Sequence, residues 1–201
     1  MNSLYEFVSK AQGKKSLSCA AVIRRRTKVI GVTSMELLTV MAMIAILSGI
    51  AVPSFISLIQ SNRVAGEVNA LSGDIQFARS EAIKEGLPVS LCVSVNGSSC
   101  LNINTWNKGW IVFSDPNGNQ VLEPGELILK KQIPWTNTDT FTADNNISAL
   151  SYNRDGFAFN LPGTVIWTLH TQPFNASASR CLVVNIAGRQ QVQTPSNGNC
   201  T

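Results

Sequence analysis

A single acidic side chain stands at the start of a long uncharged stretch of this sequence. Glu36 directly precedes the run Leu37–Ile59, which contains no charged residue. Because helical residues rise by about 1.5 Å each, roughly 20 of them cross a hydrocarbon layer of about 30 Å, and this run is long enough to do so. A carboxylate costs about 2.5–3.5 kcal/mol at the membrane centre and less at its edge. We therefore expect Glu36 to have a function, rather than to be a tolerated residue of a simple signal anchor.

The positive charges of the chain are concentrated before this run. Residues 1–31 carry seven Lys or Arg against one Glu, whereas residues 32–201 carry nine Lys or Arg against 11 Asp or Glu. Since segments rich in Lys and Arg remain in the cytoplasm, the cluster Arg24–Lys28 predicts that the chain beyond Ile59 is exported. A cleaved secretory signal is not expected, because its apolar core has only about 7–15 residues. Without the basic segment, the charge of the remaining chain offers no support for nucleic-acid binding.

Four cysteines follow the apolar run: Cys92, Cys100, Cys181 and Cys200. With His170 as the only histidine and no paired CxxC spacing, they are poor zinc ligands. Two disulfides in an oxidising compartment are the better interpretation. Three pairings are possible, and proximity along the chain favours Cys92–Cys100 with Cys181–Cys200. Closing a loop of about 20 residues by the second bond would stabilise the carboxyl-terminal tail by about 3 kcal/mol.

One loop has the oxygen spacing of a calcium-binding loop, with side-chain oxygens at relative positions 1, 3, 5, 9 and 12. These residues are Asp115, Asn117, Asn119, Glu123 and Glu126. The sixth position of such a loop is a glycine, but here it is Gln120, and Pro116 and Pro124 stiffen the chain. A turn between two strands, capped by its own Asn and Asp side chains, is the favoured alternative. We expect no other cofactor.

The sequence contains few features that indicate a catalytic site. His170 is alone in the strand-like run WTLHT, and no GxSxG, Walker or HExxH motif is found. We therefore predict that the protein is not an enzyme.

Beyond the apolar run, the hydrophobic positions follow a helical period. They are four, three, four, three and four residues apart: Val64, Val68, Leu71, Ile75, Ala78 and Ala82. Polar residues are assigned to the other faces: Arg63, Glu67, Asp74, Arg79 and Glu81. Gly86 and Pro88 end the helix. The pattern predicts one helix from about Thr33 to Glu85, which Pro53 kinks or loosens.

The remainder of the chain predicts short β-strands separated by turns such as NGSS, DPNGN and RDG. The expected strands are Val89–Val93, Trp110–Phe113, Leu127–Ile133, Ile147–Tyr152, Gly156–Phe159, Thr164–His170, Cys181–Ile186 and Gln191–Gln193. Since no strand alternates with a helix, an antiparallel head of one or two sheets should cover the apolar stripe of the helix. The predicted class is α+β, with Trp106, Trp110, Trp135 and Trp167 as core or interface anchors.

The segment Gly31–Leu38, GVTSMELL, resembles the class III signal of type IV pilins and pseudopilins. The resemblance implies that a dedicated peptidase cuts after Gly31 and methylates the new amino terminus of Val32. It further implies that Glu36 neutralises the amino terminus of a neighbouring subunit, since an ion pair in a dry helical bundle offsets a charge that lipid would reject. Pro53 matches the proline usual near the middle of this helix.

The head resembles the GspH/FimT group of minor pilins and pseudopilins, which includes FimU-like proteins. The resemblance rests on ARSEA at the helix end, on Gly109-Trp110, on the DPNGN…GE loop and on CLVVNIAGRQQ. It implies the type IV pilin fold. Some FimT-type members bind DNA through a GRxR tail motif, of which this chain has Gly188 and Arg189 but Gln191 in place of the second arginine. Four further cations could extend a DNA-binding patch: Lys130, Lys131, Arg154 and Arg180. A solvated tail on a structural subunit is favoured, because one or two phosphate contacts bind weakly at physiological salt.

These observations predict a minor type IV pilin that supports pilus assembly at the tip or priming complex. The expected organisation is a cleaved leader at 1–31, a membrane and assembly helix at 32–60 and a periplasmic head at 61–201. Its helix 61–86 would be amphipathic, and its residues 88–201 rich in β-structure. Expected partners are other major and minor pilins, the prepilin peptidase and an inner-membrane assembly platform. The alternatives are a DNA-binding minor pilin for natural transformation and a type II secretion pseudopilin.

Overall fold

The computed structural model describes residues 31–196 and Cys200 of the 201-residue chain. The basic cluster Arg24–Lys28 and nearly all of the expected leader lie outside the described residues. The chain divides at Ile44 into two compact units, and the packing described below belongs to the second unit, Ala45–Thr201.

One long helix, α1, extends over Ser34–Glu85 and includes Pro53. At its start, the hydroxyl of Thr33 accepts a hydrogen bond from the amide of Glu36 at 3.2 Å, which satisfies one of the free N–H groups of the first turn. At its end, Gly86 adopts a left-handed backbone with φ of +69°, and its amide donates to the carbonyl of Ala82. The helix predicted from the apolar spacing is confirmed.

Within the described residues, nine strands form two antiparallel sheets. The first sheet has the order β3-β2-β1-β5-β6 and the second has the order β4-β7-β8-β9. The strands of the first sheet are β1 (Val89–Val93), β2 (Trp110–Ser114), β3 (Ile128–Gln132), β5 (Ala149–Tyr152) and β6 (Ala158–Phe159). Those of the second are β4 (Thr140–Ala143), β7 (Val165–His170), β8 (Arg180–Val184) and β9 (Gln190–Gln193). Short 3₁₀ helices lie at Trp106–Lys108 and Asp144–Asn146.

A single hydrophobic core joins α1 to the inner faces of both sheets. All six stripe positions of α1, Val64 to Ala82, are buried in it, together with Trp106, Trp110 and Trp167. Trp135 packs at the margin of this core, stacked on Phe141. One helix packed on two antiparallel sheets is the predicted α+β architecture of the type IV pilin fold.

Two details of the prediction are wrong. Strand β4 lies in a segment for which no strand is expected, although Phe141 and Ala143 alternate inward with exposed neighbours. Glu67 and Asp74, assigned to the polar faces of α1, are buried. They are tolerated there because polar groups of the head meet them: Trp110 Nε1 donates to Asp74 at 2.8 Å, and the Asn137 amide donates to Glu67.

The outer face of the first sheet carries a smaller apolar cluster of Cys92, Ile111 and Phe113. The disulfide Cys92–Cys100 fixes the following loop over this cluster. The second disulfide joins Cys181 of β8 to Cys200. The structure thus has the connectivity that proximity along the chain favours.

Candidate functional site

The segment that resembles a processing signal, Gly31–Leu38, extends into the first turns of α1. Val32 and Glu36 are both exposed, and the helix begins two residues after Val32. Glu36 occupies the first turn, where the positive end of the helix dipole favours a carboxylate. The spacing of Thr33 and Glu36 is also that of a capping box, T-x-x-E. Helix capping is therefore a second physical reason for an acid at this position, besides an ion pair with another subunit.

The apolar part of α1 that belongs to the second unit is largely exposed. Within the second unit, Ile50 is 72% exposed and Phe55 is 62% exposed. By length and composition α1 qualifies as a membrane span, and it is the one such helix among the described residues. An apolar surface of this extent requires lipid or other helices to cover it.

A buried ionic network attaches α1 to the segment that precedes β4. The guanidinium of Arg63 donates through two nitrogens to the two oxygens of Asp139, both at 2.7 Å, and Asp139 is fully buried. Glu67 lies beside this pair and accepts from Asn137, while its second oxygen has no hydrogen-bond partner among the described residues. Burial, and then the nearby Asp139 charge, raise the pKa of Glu67 to about 7. No local pattern of the sequence predicts this network, because its members are far apart along the chain.

The loop between β7 and β8, residues 171–179, contacts α1 at the end of the apolar run and in the turn that follows it. Asn175 Nδ2 donates to Gln60 Oε1 at 2.9 Å and to Ser57 Oγ at 3.4 Å. Arg180 Nη2 donates to Ser61 Oγ at 3.1 Å. Phe174, next to Asn175, is 58% exposed. No local signal in the sequence indicated that this loop meets the helix.

The expected calcium ligands bond to the protein itself. Asp115 is fully buried and accepts from Ser90 Oγ at 2.6 Å and from the amides of Asn119 and Gln120 at 3.1 and 2.9 Å. Two further hydrogen bonds stay within the loop: Asn117 Nδ2 donates to Glu123 Oε2, and the amide of Glu123 donates to Glu126 Oε2. Within the described part of the chain, no group of three or more His, Cys, Asp or Glu converges as metal ligands. The loop thus has the geometry of the alternative interpretation, a strand-connecting turn capped by its own side chains.

The cations proposed for a DNA patch lie in different parts of the head. Lys130 pairs with Asp74 and lies over the ring of Phe77, whereas Lys131, the next residue of β3, faces the other side of the sheet. Arg180 bonds to Ser61, near the start of the packed part of α1.

Arg189 lies at the other end of the head. It is exposed in the β8–β9 turn, beside Gly188, whose carbonyl accepts from Arg79 Nη1 at 3.1 Å. Since Ser61 and Arg79 are 18 residues apart on α1, Arg180 and Arg189 are attached at points about 27 Å apart along the helix axis. Arg180 and Arg189 are therefore not in one patch, whereas the exposed Arg154 lies in the β5–β6 turn, which contacts the β8–β9 turn at Gly156 and Gly188.

His170 lies beside Ser179, a residue type that can act as a nucleophile, but the burial of Ser179 does not suit that role. His170 Nδ1 lies 3.1 Å from Ser179 Oγ, and burial lowers the pKa of the imidazole. Ser179 is fully buried, and its hydroxyl donates to the Asn175 carbonyl. The pair fixes the β7–β8 loop, and the serine is closed to substrate.

Comparison with known proteins adds independent findings. The family model described as "Type II transport protein GspH" matches residues 67–188. The pilin-like protein PilA1 of Thermus thermophilus is 33% identical over 98 residues, which are 48% of this chain and 54% of the relative. The chain thus spans about half the length of that relative.

Two crystal structures of the type IV minor pilin FimU of Pseudomonas aeruginosa PAO1 were also found. They have TM-scores of 0.47 and 0.48 with identities of 22% and 21%. The alignments cover 66% and 72% of this chain and 91% and 95% of the FimU chains.

Proposed function

The chain belongs to the GspH family of type IV pilin-like proteins, and we propose that it is a minor pilin that supports filament assembly. In this proposal, residues 1–31 are a leader removed by the prepilin peptidase, and Val32 becomes the methylated amino terminus. Residues 32–60 form the inner-membrane and assembly helix, and residues 61–201 form the periplasmic head. The mature subunit then joins major and minor pilins at an inner-membrane assembly platform.

The observation that carries this proposal is the division of α1 into two parts with different surroundings. The apolar stripe of α1 from Val64 to Ala82 is buried by the head of the same chain, whereas Ile46, Ile50 and Phe55 are exposed. A helix with one end covered by its own head and an apolar surface elsewhere suits a subunit that moves from lipid into a bundle of like helices. Such a bundle excludes water, and a Glu36 carboxylate within it requires a positive partner.

Substitutions at Glu36 test the proposal, because charge and capping can be separated. Glu36→Gln removes the charge but suits a capping box, whereas Thr33→Ala removes the capping hydroxyl and keeps the charge. Each variant would be produced in a strain lacking the wild-type gene, and its amount compared in sheared filaments and in membranes. We expect Glu36→Gln to be depleted from filaments at normal membrane levels, and Thr33→Ala to be incorporated. Normal incorporation of Glu36→Gln would contradict the proposed ion pair.

A type II secretion pseudopilin is the second candidate, favoured by the description of the matching family as a type II transport protein. Both candidates use the same helix and head, and they differ in partners. Deletion of the gene would separate them. Loss of surface filaments with intact protein secretion supports the pilus role, and the reverse pattern supports the secretion role.

A further inference from the structure

Three features of the described residues could form further sites. A pocket of about 330 Å³ beside the Cys92–Cys100 disulfide has only uncharged walls, and a groove of about 320 Å³ borders the end of α1. Neither shows which ligand would fill it. The third candidate is the β7–β8 loop of residues 171–179. Its place on α1 indicates what it would contact.

The apolar run of α1 ends where this loop is attached. Leu37–Ile59 amounts to about 34 Å of helix, slightly more than a hydrocarbon layer of about 30 Å. Ile59 is the last apolar residue of the run, and Gln60, Ser61 and Asn62 follow it. A spanning helix therefore leaves the hydrocarbon near Ile59, and its next turn lies among the lipid headgroups, a layer about 5–7 Å thick.

Three hydrogen bonds fix the loop and the adjoining Arg180 of β8 to this part of α1. They run from Asn175 to Ser57 and Gln60 and from Arg180 to Ser61. Arg180 Nη1 also donates to the carbonyls of Ser177 and Ser179, at 3.0 and 2.7 Å. The position of the loop along the helix, and hence its depth relative to a bilayer, is set by these contacts.

The composition of the loop suits a lipid interface. Residues 171–179 contain no carboxylate that anionic headgroups would repel. Arg180 has no carboxylate partner in the part of the chain that the structure describes, so its charge remains available to phosphate. Phe174 exposes 58% of its surface and contacts the His170 ring edge-on, with centroids 5.3 Å apart. Aromatic rings concentrate at the headgroup level of membrane proteins.

From this geometry we propose that the β7–β8 loop is a second membrane contact of the unassembled subunit. Phe174 enters the headgroup layer of the leaflet that faces the head, and Arg180 contacts lipid phosphate beside it. The loop thereby limits the tilt of the head over the bilayer, and the contact is released when the helix enters a filament. This inference rests on the proposed membrane insertion of α1.

A matched pair of phenylalanines allows a direct test. Phe157 is 54% exposed, close to the value for Phe174, but it follows Gly156, which packs against Ile83. Ile83 is 23 residues beyond Gln60 on α1, which corresponds to about 35 Å along the helix. The two side chains thus have similar exposure and different expected depths.

The experiment uses the full chain with Cys19→Ser, reconstituted into vesicles of phosphatidylethanolamine and phosphatidylglycerol. Single cysteines at Phe174→Cys, Phe157→Cys and Ile50→Cys carry a fluorophore, and nitroxide lipids quench it from the headgroup or from deep in the acyl chain. We expect headgroup nitroxides to quench the Phe174→Cys label several-fold more than the Phe157→Cys label. Gln172→Cys, in the same loop, provides a second probe should Phe174→Cys fail to fold.

Failure of this inference and failure of membrane insertion give different results. Equal quenching at positions 174 and 157, with strong deep quenching at position 50, would overturn the loop contact and leave the proposed insertion intact. Protection of the 174 label only in filaments would assign the loop to a subunit contact and would likewise overturn the inference. Absence of deep quenching at position 50 would overturn both.

Discussion

Gly188 lies so close to Gly156 that a methyl group at position 188 would stand 2.4 Å from the Gly156 carbonyl oxygen. The backbone of Gly188 has φ of +73°, a conformation that residues with a Cβ rarely adopt. The β8–β9 turn thus packs directly on the β5–β6 turn, where Arg79 of α1 bonds to the Gly188 carbonyl. This packing explains the glycine of the tail motif without a nucleic acid.

Gly188→Ala should therefore be strongly destabilising. We expect the free energy of unfolding to fall by about 2–4 kcal/mol, from backbone strain together with the clash. Gly125→Ala is the control, because Gly125 has φ of +101° but nothing within 4 Å of an added Cβ. It should cost about 1 kcal/mol. Urea denaturation of the two purified variants measures the difference, and equal losses would contradict the close contact.

The free energy of unfolding should fall as pH rises, because Glu67 loses its proton in the folded protein. Its pKa is raised from 4.5 to about 7, so the folded state binds more protons than the unfolded state in that interval. The stabilisation is complete below about pH 4.5 and is lost as pH rises through 7. Glu67→Gln should remove this loss, since an amide stays uncharged throughout this pH range.

Melting temperatures of the purified protein between pH 5 and 8 test this, with Asp155→Asn at an exposed carboxylate as the control. His170, whose pKa is lowered by burial, changes stability in the opposite direction at lower pH. The comparison of Glu67→Gln with wild type isolates the glutamate. A Glu67→Gln protein as sensitive to this pH range as wild type would contradict the assignment.

Loss of the Cys181–Cys200 disulfide should destabilise the carboxyl-terminal side of the second sheet. The bond closes a loop with a sequence separation of 19 residues, and the chain-entropy estimate for such a loop is about 3 kcal/mol. Cys200→Ser should lower the free energy of unfolding by about this amount in chemical denaturation. An unchanged denaturation midpoint would show that the bond restrains little.

Binding of DNA by the head should be weak at physiological salt. Arg189 is exposed, but Lys130 pairs with Asp74 and Arg180 lies at the other end of the β8–β9 hairpin. Arg189→Ala should reduce the slope of log affinity against log salt by about one or less. Lys131→Ala, on a different face, is the control. Tight binding that depends on Arg189 would contradict this expectation and support a DNA-binding minor pilin for natural transformation.

The apolar period and the turn residues were sufficient to predict the main elements of the fold. Stripe positions such as Val64 and Leu71 are buried as expected, and β1 has the predicted bounds. Strand β4 was missed because TFTA is short and is flanked by polar residues, although its alternation was readable. Local patterns therefore specify elements well when they are long or strongly periodic.

The polar network could not be predicted in the same way. Glu67 and Asn137 are 70 residues apart, and Asp74 and Trp110 are 36 apart. No local period shows that such partners meet, so the helical pattern assigns Glu67 and Asp74 only to the polar faces of α1. The same reason applies to the contact between Asn175 and Gln60, 115 residues apart, which places the β7–β8 loop beside the apolar run.

The central claim is that Glu36 serves a filament subunit whose amino terminus is Val32. Intact-mass spectrometry of the protein extracted from membranes of cells with an active prepilin peptidase tests it most directly. We predict a chain that begins at Val32 and carries one added methyl group. A chain that retains residues 1–31 in those cells would contradict the claim and leave an exported head on a simple membrane anchor.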